Sequence, residues 1–358
     1  MKQVSMSAVG LDLGDRYSQI AGLEASGELA WSRRICTRKA SLKKYFGSLA
    51  PTRVVIEVGT HSRWVSRYLS QLGHEVIVAN ARRVKLISEN DYKNDENDAE
   101  LLARIGRFDP RLLRPIQHRS EEAHRDLTLI RSRAELVKAR TALINHVRGL
   151  VKTFGERLPT CSAAAFHKKA PEHIPTPLAG QLEPVVSSIN KLTHEIKRLE
   201  AAINKRAEAY PEVQALQAVG GVASIISMCF VLTLEDSDRF ANPRDVGPYL
   251  GLAPGQDSSG GSRRECRITK AGDRYLRKLL VQAAHYIIGP HGKECDLRDF
   301  GLRLFNRGGK HARQKAAVAV ARKLAVLLMT LWKSGNSYDP FYQQKRDTRR
   351  KVYQLEAA

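Results

Sequence analysis

The first eighty residues alternate short apolar runs with turn signals. Ser5–Leu13, Tyr17–Ala25 and Glu28–Ile35 are separated by Gly14-Asp15 and Ser26-Gly27, a spacing that predicts an antiparallel meander. The period then changes. A helix is predicted over Ser41–Leu49, a strand over Arg53–Val58, a helix over Ser62–Leu72, a strand over Glu75–Ala79 and helices beyond Ala81. From about residue 118 helical spacing takes over, with Leu127, Ile130, Ala134, Val137, Ile144, Val147 and Val151 on one face. After a proline-rich break, Leu182, Val185, Ile189, Leu192, Ile196, Leu199 and Ile203 recur in alternating steps of three and four, which predicts a coiled coil. Pro184 belongs in a first turn of this helix or marks a kink.

From Pro211 two helical stretches flank Val219-Gly220-Gly221-Val222, a helix-hairpin-helix pattern whose glycine turn lets backbone N–H groups approach a phosphate. A short helix near Arg244–Leu250 leads to a loop, Gly251 to Gly261. Then come seven basic residues, Arg263, Arg264, Arg267, Lys270, Arg274, Arg277 and Lys278. Helices near Arg274–Ile288 and His311–Trp332 complete this part, and Gln343 to Ala358 is a polar, basic tail.

The N-terminal order β-β-β-α-β-α-β-α predicts a RuvC-like (ribonuclease-H-like) α/β domain. The whole chain then reads as α/β plus all-α: a RuvC-like domain over 1–115, a helical coiled-coil region over 116–210, a mostly helical C-terminal domain over 211–335, and a tail over 336–358. In such a fold the first and fourth strands are neighbours. Asp12, ending one apolar run, and Glu57, ending another, are therefore expected within reach of each other. Asp95 and Asp98, three residues apart, share a helix face that is expected to pack across the same end.

Charge narrows what this chemistry acts on. A net charge of +22 and a composition of 59 Lys+Arg against 37 Asp+Glu indicate a polyanionic partner. The excess is spread along the chain, +6 over 1–117, +6 over 118–210 and +10 over 211–358, so several parts are expected to touch nucleic acid. The five cysteines form no CxxC and there is no His pair at ligand spacing, which favours a reduced cytoplasmic protein without a zinc site. Met1–Val4 run straight into a strand, so no signal peptide is expected. No membrane span is expected either: Ala316–Trp332, the most apolar run, is broken by Arg322 and Lys323.

An aspartate inside an apolar strand is costly to bury without a cation. Asp12 and Glu57 fit that description, whereas Asp15 reads as a turn former and Asp95 and Asp98 could also be a solvated helix start. Together, the four would hold two Mg²⁺ ions at a scissile phosphate. Ser258-Ser259-Gly260-Gly261 supplies a second kind of chemistry, because a serine held in line can attack phosphorus.

On these residues the chain resembles the DEDD-type insertion-sequence transposases, the group that includes bridge-RNA-guided recombinases and Piv-type DNA invertases. Gly10-Leu11-Asp12, Val55-Ile56-Glu57 and Asn94-Asp95-Glu96-Asn97-Asp98-Ala99 match its metal-binding quartet in order and spacing. Tyr249-Leu250-Gly251-Leu252-Ala253-Pro254, Ser258-Ser259-Gly260-Gly261 and the stretch from Ile268 to Arg277 match its C-terminal domain. The resemblance covers about 5 to 335. It implies a DNA recombinase that mobilises an insertion sequence, with the quartet holding metal and Ser259 (Ser258 as fallback) forming a transient phosphoserine. It further implies a site combining one protomer's quartet with another's serine, strand exchange through a Holliday-junction-like intermediate, donor and target double-stranded DNA, a non-coding guide RNA, and a homo-oligomer, dimer or tetramer. Gly220, Gly221, Arg263, Arg264, Arg267, Lys270, Arg274 and Arg277 are the candidate nucleic-acid contacts. One motif departs from the family: the hairpin usually reads Pro-Gly-x-Gly, where this chain has Val219-Gly220-Gly221-Val222. The alternatives are a site-specific invertase of the same family, and a RuvC-like Holliday-junction nuclease using water as nucleophile.

Overall fold

A computed structural model describes residues 6–80, 95–259 and 262–348. Its contacts divide the chain into two compact units, Met1–His118 and Arg119–Ala358.

The first unit is a five-stranded mixed sheet with helices on both faces. Strands β1 (Met6–Asp12), β2 (Tyr17–Glu24) and β3 (Leu29–Cys36) form the meander. Helix α1 (Lys39–Phe46), β4 (Arg53–Glu57), α2 (Ser62–Gln71), β5 (Glu75–Ala79) and α3 (Asp95–Phe108) follow. The strand order is β3-β2-β1-β4-β5, with β1 parallel to β4 and β4 parallel to β5. Period-two alternation sorts the central strands between two cores. Val9, Leu11, Val54 and Ile56 pack with Leu42, Phe46, Val65 and Leu69 of α1 and α2. The residues between them face the other way, where Val55 joins Leu102 and Ile105 of α3. The outer edge of β5 is covered by the chain after α3, since the Ile116 N–H donates to the Val78 carbonyl (2.9 Å).

The second unit is mostly helical. Its long helices α4 (Glu121–Thr153) and α5 (Thr176–Ala207) form an antiparallel pair: Arg133 meets Glu200, while further along α4 Arg140 meets Thr193. Ser120 caps α4, its hydroxyl accepting from the Ala123 N–H at 3.1 Å. Helix α5 runs through Pro184. The ring sits on an exposed face, so the helix hydrogen bond it forfeits falls on the solvent side.

The remaining elements are α6 (Pro211–Leu216), α7 (Ser224–Leu234), β6 (Pro254–Ser259), β7 (Ser262–Ile268), α8 (Arg274–Ile288), α9 (Asp296–Asn306) and α10 (Ala312–Ser334), with a helical turn at Val246–Tyr249. Helix α7 is buried almost all round, and α8 and α10 pack with it into one core. The stretch expected as a loop up to Gly261 is instead largely the first strand of a β-hairpin, and α9 was not foreseen. Among the described residues no helix is long and apolar enough to cross a membrane.

Candidate active site

Asp12 and Glu57 come together through strand register. Leu11 of β1 lies beside Ile56 of β4 in the parallel pair, so the next residue of each strand is Asp12 beside Glu57. Gly10 and Val55, two positions earlier, face α3, and alternation turns Asp12 and Glu57 to that same side. Gly10 is required here: a Cβ at this position would overlap the Ala99 carbonyl and stand 2.8 Å from the Ala103 backbone nitrogen. The missing side chain lets α3 press directly on β1 and carries Asp98 to the carboxylate end of the sheet.

Asp12, Glu57 and Asp98 are each half-buried. Burial pushes the Glu57 carboxyl above its ordinary range, and the charge of Asp98 pushes it further. These two carboxylates therefore feel each other. Asp95 opens α3 one turn before Asp98, and its side chain lies outside the described residues. Among the described residues, no three His, Cys, Asp or Glu side chains are drawn together at metal-ligating spacing. The donor set is nonetheless one a hard cation suits: half-buried carboxylates on one face, one of them with its pKa raised by burial and then by its neighbour.

Just past these strand ends lies a pair that the sequence did not flag. The His61 imidazole, four residues after Glu57, meets the Asp15 carboxylate at 3.3 Å and accepts from the Trp64 indole N–H at 3.0 Å. Nothing in the local pattern distinguishes this histidine, since its partner follows a different strand.

In the second unit the motif stretches 249–254 and 268–277 clasp each other at the base of the β6–β7 hairpin. The Thr269 N–H donates to the Ala253 carbonyl at 3.0 Å. Gly251 (φ +68°) lies against the backbone of Ala271, and Gly272 (φ +67°) against the Tyr249 carbonyl, so both need left-handed backbone and no Cβ. Asp273 caps α8, accepting from the Tyr275 and Leu276 N–H groups at 2.9 Å, and pairs with Arg131 of α4 at 3.1 Å. The hairpin extends from this clasp. Ser258 and Ser259 lie at the distal end of β6, paired with Arg263 and Ser262 of β7. The side chains of 256–265, which include both serines, Arg263 and Arg264, and the turn residues Gly260 and Gly261, are outside the described residues.

The other basic candidates divide. Arg267, Lys270 and Arg274 are exposed. Arg277 is turned inward: its guanidinium donates to the Leu250 carbonyl at 2.9 Å and the Ala271 carbonyl at 2.5 Å, bracing the clasp. Gly220 and Gly221 form the turn between α6 and α7. Gly220 has open space around it, whereas Gly221 (φ +83°) backs onto the Tyr286 ring.

Two regions of the chain match known families. Residues 213–296 match the transposase IS116/IS110/IS902 family, and residues 9–155 match the DEDD IS110 transposase family. A "probable family 20 transposase" of Pseudomonas aeruginosa is 30% identical over 345 residues, 94% of this chain and 100% of the relative. The transposase of insertion element IS1111A from Coxiella burnetii is 26% identical, covering 94% and 92% of the two chains. That of IS1328 from Yersinia enterocolitica is 26% identical, covering 93% and 99%. A basic protein with this carboxylate-bearing sheet and these relatives is an insertion-sequence transposase, an enzyme that cuts and rejoins DNA. The chain belongs to the DEDD-type IS110 family.

Proposed function

We propose that this transposase works through two sets of groups, the carboxylates of the first unit and Ser259 of the second. The observation that carries this is the β1–β4 register, which sets Asp12 beside Glu57 on the face where α3 supplies Asp98. The strand order and helix placement support a ribonuclease-H-like reading of the first unit. Asp12, Glu57, Asp95 and Asp98 would hold divalent metal, with Mg²⁺ the expected ion and two the expected number. Bound there, the metal would neutralise charge on the scissile phosphate.

Ser259 would then attack phosphorus. The serine oxygen–phosphorus bond forms as one deoxyribose oxygen–phosphorus bond breaks, and that deoxyribose oxygen leaves as a hydroxyl, taking up the proton the serine gives up. A second strand's hydroxyl reverses the exchange and frees the serine. One phosphoester replaces another at each step, so no nucleotide cofactor is needed. Ser258 is the fallback nucleophile. The glycine turn and Arg263, Arg264, Arg267, Lys270 and Arg274 would hold donor and target duplexes, and a non-coding guide RNA would choose between sites by base pairing. The α4–α5 pair would serve as a coiled-coil contact in a homo-oligomer, a dimer or tetramer.

The test is covalent. Wild-type protein incubated with element-end DNA and Mg²⁺ should yield a protein–DNA adduct that survives denaturing electrophoresis. Ser259→Ala should abolish it and Asp12→Asn should reduce it at least 100-fold. Cleavage by Ser259→Ala at wild-type rate, without adduct, would make water the nucleophile.

A further inference from the structure

A groove of about 1550 Å³ lies in the second unit between α9, α10, the base of the β6–β7 hairpin and the segment after α10. It exceeds the roughly 300–1,000 Å³ of a small-molecule pocket. Its floor is apolar, with Leu252, Ile268, Phe300, Val318 and Leu327 among its lining residues. Its walls carry Arg244, Arg267, Lys270, Arg303, Arg322 and Lys323. Among the described residues none of these six cations forms an ion pair.

The acids that share the groove are bound to the segment after α10, where Asp347 also pairs with its neighbour Arg346 (3.9 Å). Asp296 accepts from the Gln343 N–H (2.6 Å), Asp299 from the Gln344 amide (2.8 Å), and Asp339 pairs with Lys345 (2.8 Å). They hold the segment after α10 in place, and no salt bridge links them to the six wall cations. Lys323 shows the consequence: its ammonium sits 3.9 Å from the centre of the Phe300 ring. Although solvent reaches much of this side chain, partial burial and then the charge of Arg303 lower its pKa, with Asp296 opposing them in part. Tyr342, also lining the groove, is 59% exposed, so its ring is open to a ligand there.

A row of cations over an apolar, aromatic-bearing floor suits one kind of polyanion. Duplex DNA presents phosphates outward and keeps its base faces stacked inside. A single strand offers phosphates to the walls and base faces to Phe300 and Tyr342 at once. We infer that this groove binds single-stranded DNA next to the hairpin. The choice of DNA rests on the proposed role of Ser259: β6 runs from Pro254 at the groove to Ser259, five residues or roughly 17 Å away. A strand joined to that serine would be led into the groove.

The experiment is fluorescence anisotropy of full-length protein with a fluorescein-labelled twelve-nucleotide oligothymidylate, over a salt series and without divalent ions. Arg303→Glu with Lys323→Glu should raise Kd at least tenfold and flatten the salt dependence, because phosphate contacts release counterions. Arg244→Glu, on an exposed rim position, should act in the same direction. Tyr342→Ala should raise Kd about fivefold or more with the salt slope unchanged, the signature of lost stacking. Ser259→Ala should bind like wild type, so failure of the nucleophile reading, seen in the adduct assay, stays separate from failure here. Wild-type affinity in both charge variants would overturn the inference. So would tighter binding of oligouridylate, or duplex of the same length competing as well as the single strand.

Discussion

Gly10 decides how close α3 can lie to β1, and through that where Asp98 ends up. An added methyl at Gly10 meets backbone of α3, which cannot rotate away. Gly10→Ala should therefore cost about 1–3 kcal/mol or more in urea unfolding. It should also abolish transposition of a marked element even where folded protein is recovered. A mutant of near-wild-type activity would mean that α3 need not touch the sheet. Glu57 carries the opposite kind of strain, a half-buried charge beside Asp98. Glu57→Gln removes it, so the metal-free variant should melt about 1–3 °C above wild type while losing transposition activity. Mg²⁺ should raise the melting temperature of wild type and leave Glu57→Gln with Asp98→Asn unmoved; a cation added at ten times its Kd stabilises by about 1.4 kcal/mol. A metal-free variant less stable than wild type would refute the repulsion. Asp12 and Glu57 were legible in the sequence because each closes an apolar run. His61 and Arg277 were not: their partners, Asp15 and the carbonyls of Leu250 and Ala271, are set by the folded chain.

At the scale of elements, period carried the prediction where side chains alternate and failed where they do not. The strands and helices of the sheet were all visible, because each buries a face. The β6–β7 hairpin was not: Pro254-Gly255-Gln256-Asp257-Ser258-Ser259 has no apolar stripe, and its register comes from pairing and from the clasp beneath it. The buried face of α5 follows the predicted heptads only in part, at Leu182, Ile189, Ile196 and Ile203, and Leu178 and Val185 still touch the unit's own core. Leu182, Val186, Ile189, Thr193, Ile196 and Ile203 are buried, whereas Leu178, Val185, Leu192 and Leu199 remain half-exposed. Helix α4 has a matching half-exposed row at Leu129, Leu136, Leu143 and Leu150. In an antiparallel pair, rows offset from the seam in the same sense fall on the same side. The two helices thus share a leucine face, which fits the proposed contact with a second copy. Leu143→Glu with Leu192→Glu should convert the oligomer to monomer by light scattering while circular dichroism is unchanged. An unaltered mass would place the contact elsewhere.

Over the whole molecule the charge is as informative as any motif. The net +22 is spread through both compact units, with the groove cations adding a concentrated patch in the second. A protein that holds DNA through one short patch releases few counterions, whereas a distributed footprint releases many. Each phosphate neutralised contributes a slope of about −0.9 to log affinity against log salt, and six to ten contacts lose about 10³–10⁵ in affinity between 50 and 200 mM. This transposase should fall in that range on a duplex carrying an element end. Arg263→Ala with Arg264→Ala should lower the slope by about 2 if the hairpin meets phosphates. Asp12→Asn should leave the slope unchanged, since a carboxylate releases no counterion from DNA. A wild-type slope shallower than about −3, equivalent to roughly three phosphate contacts in all, would confine binding to a single patch and leave the charge of the rest for another polyanion, the proposed guide RNA first among them.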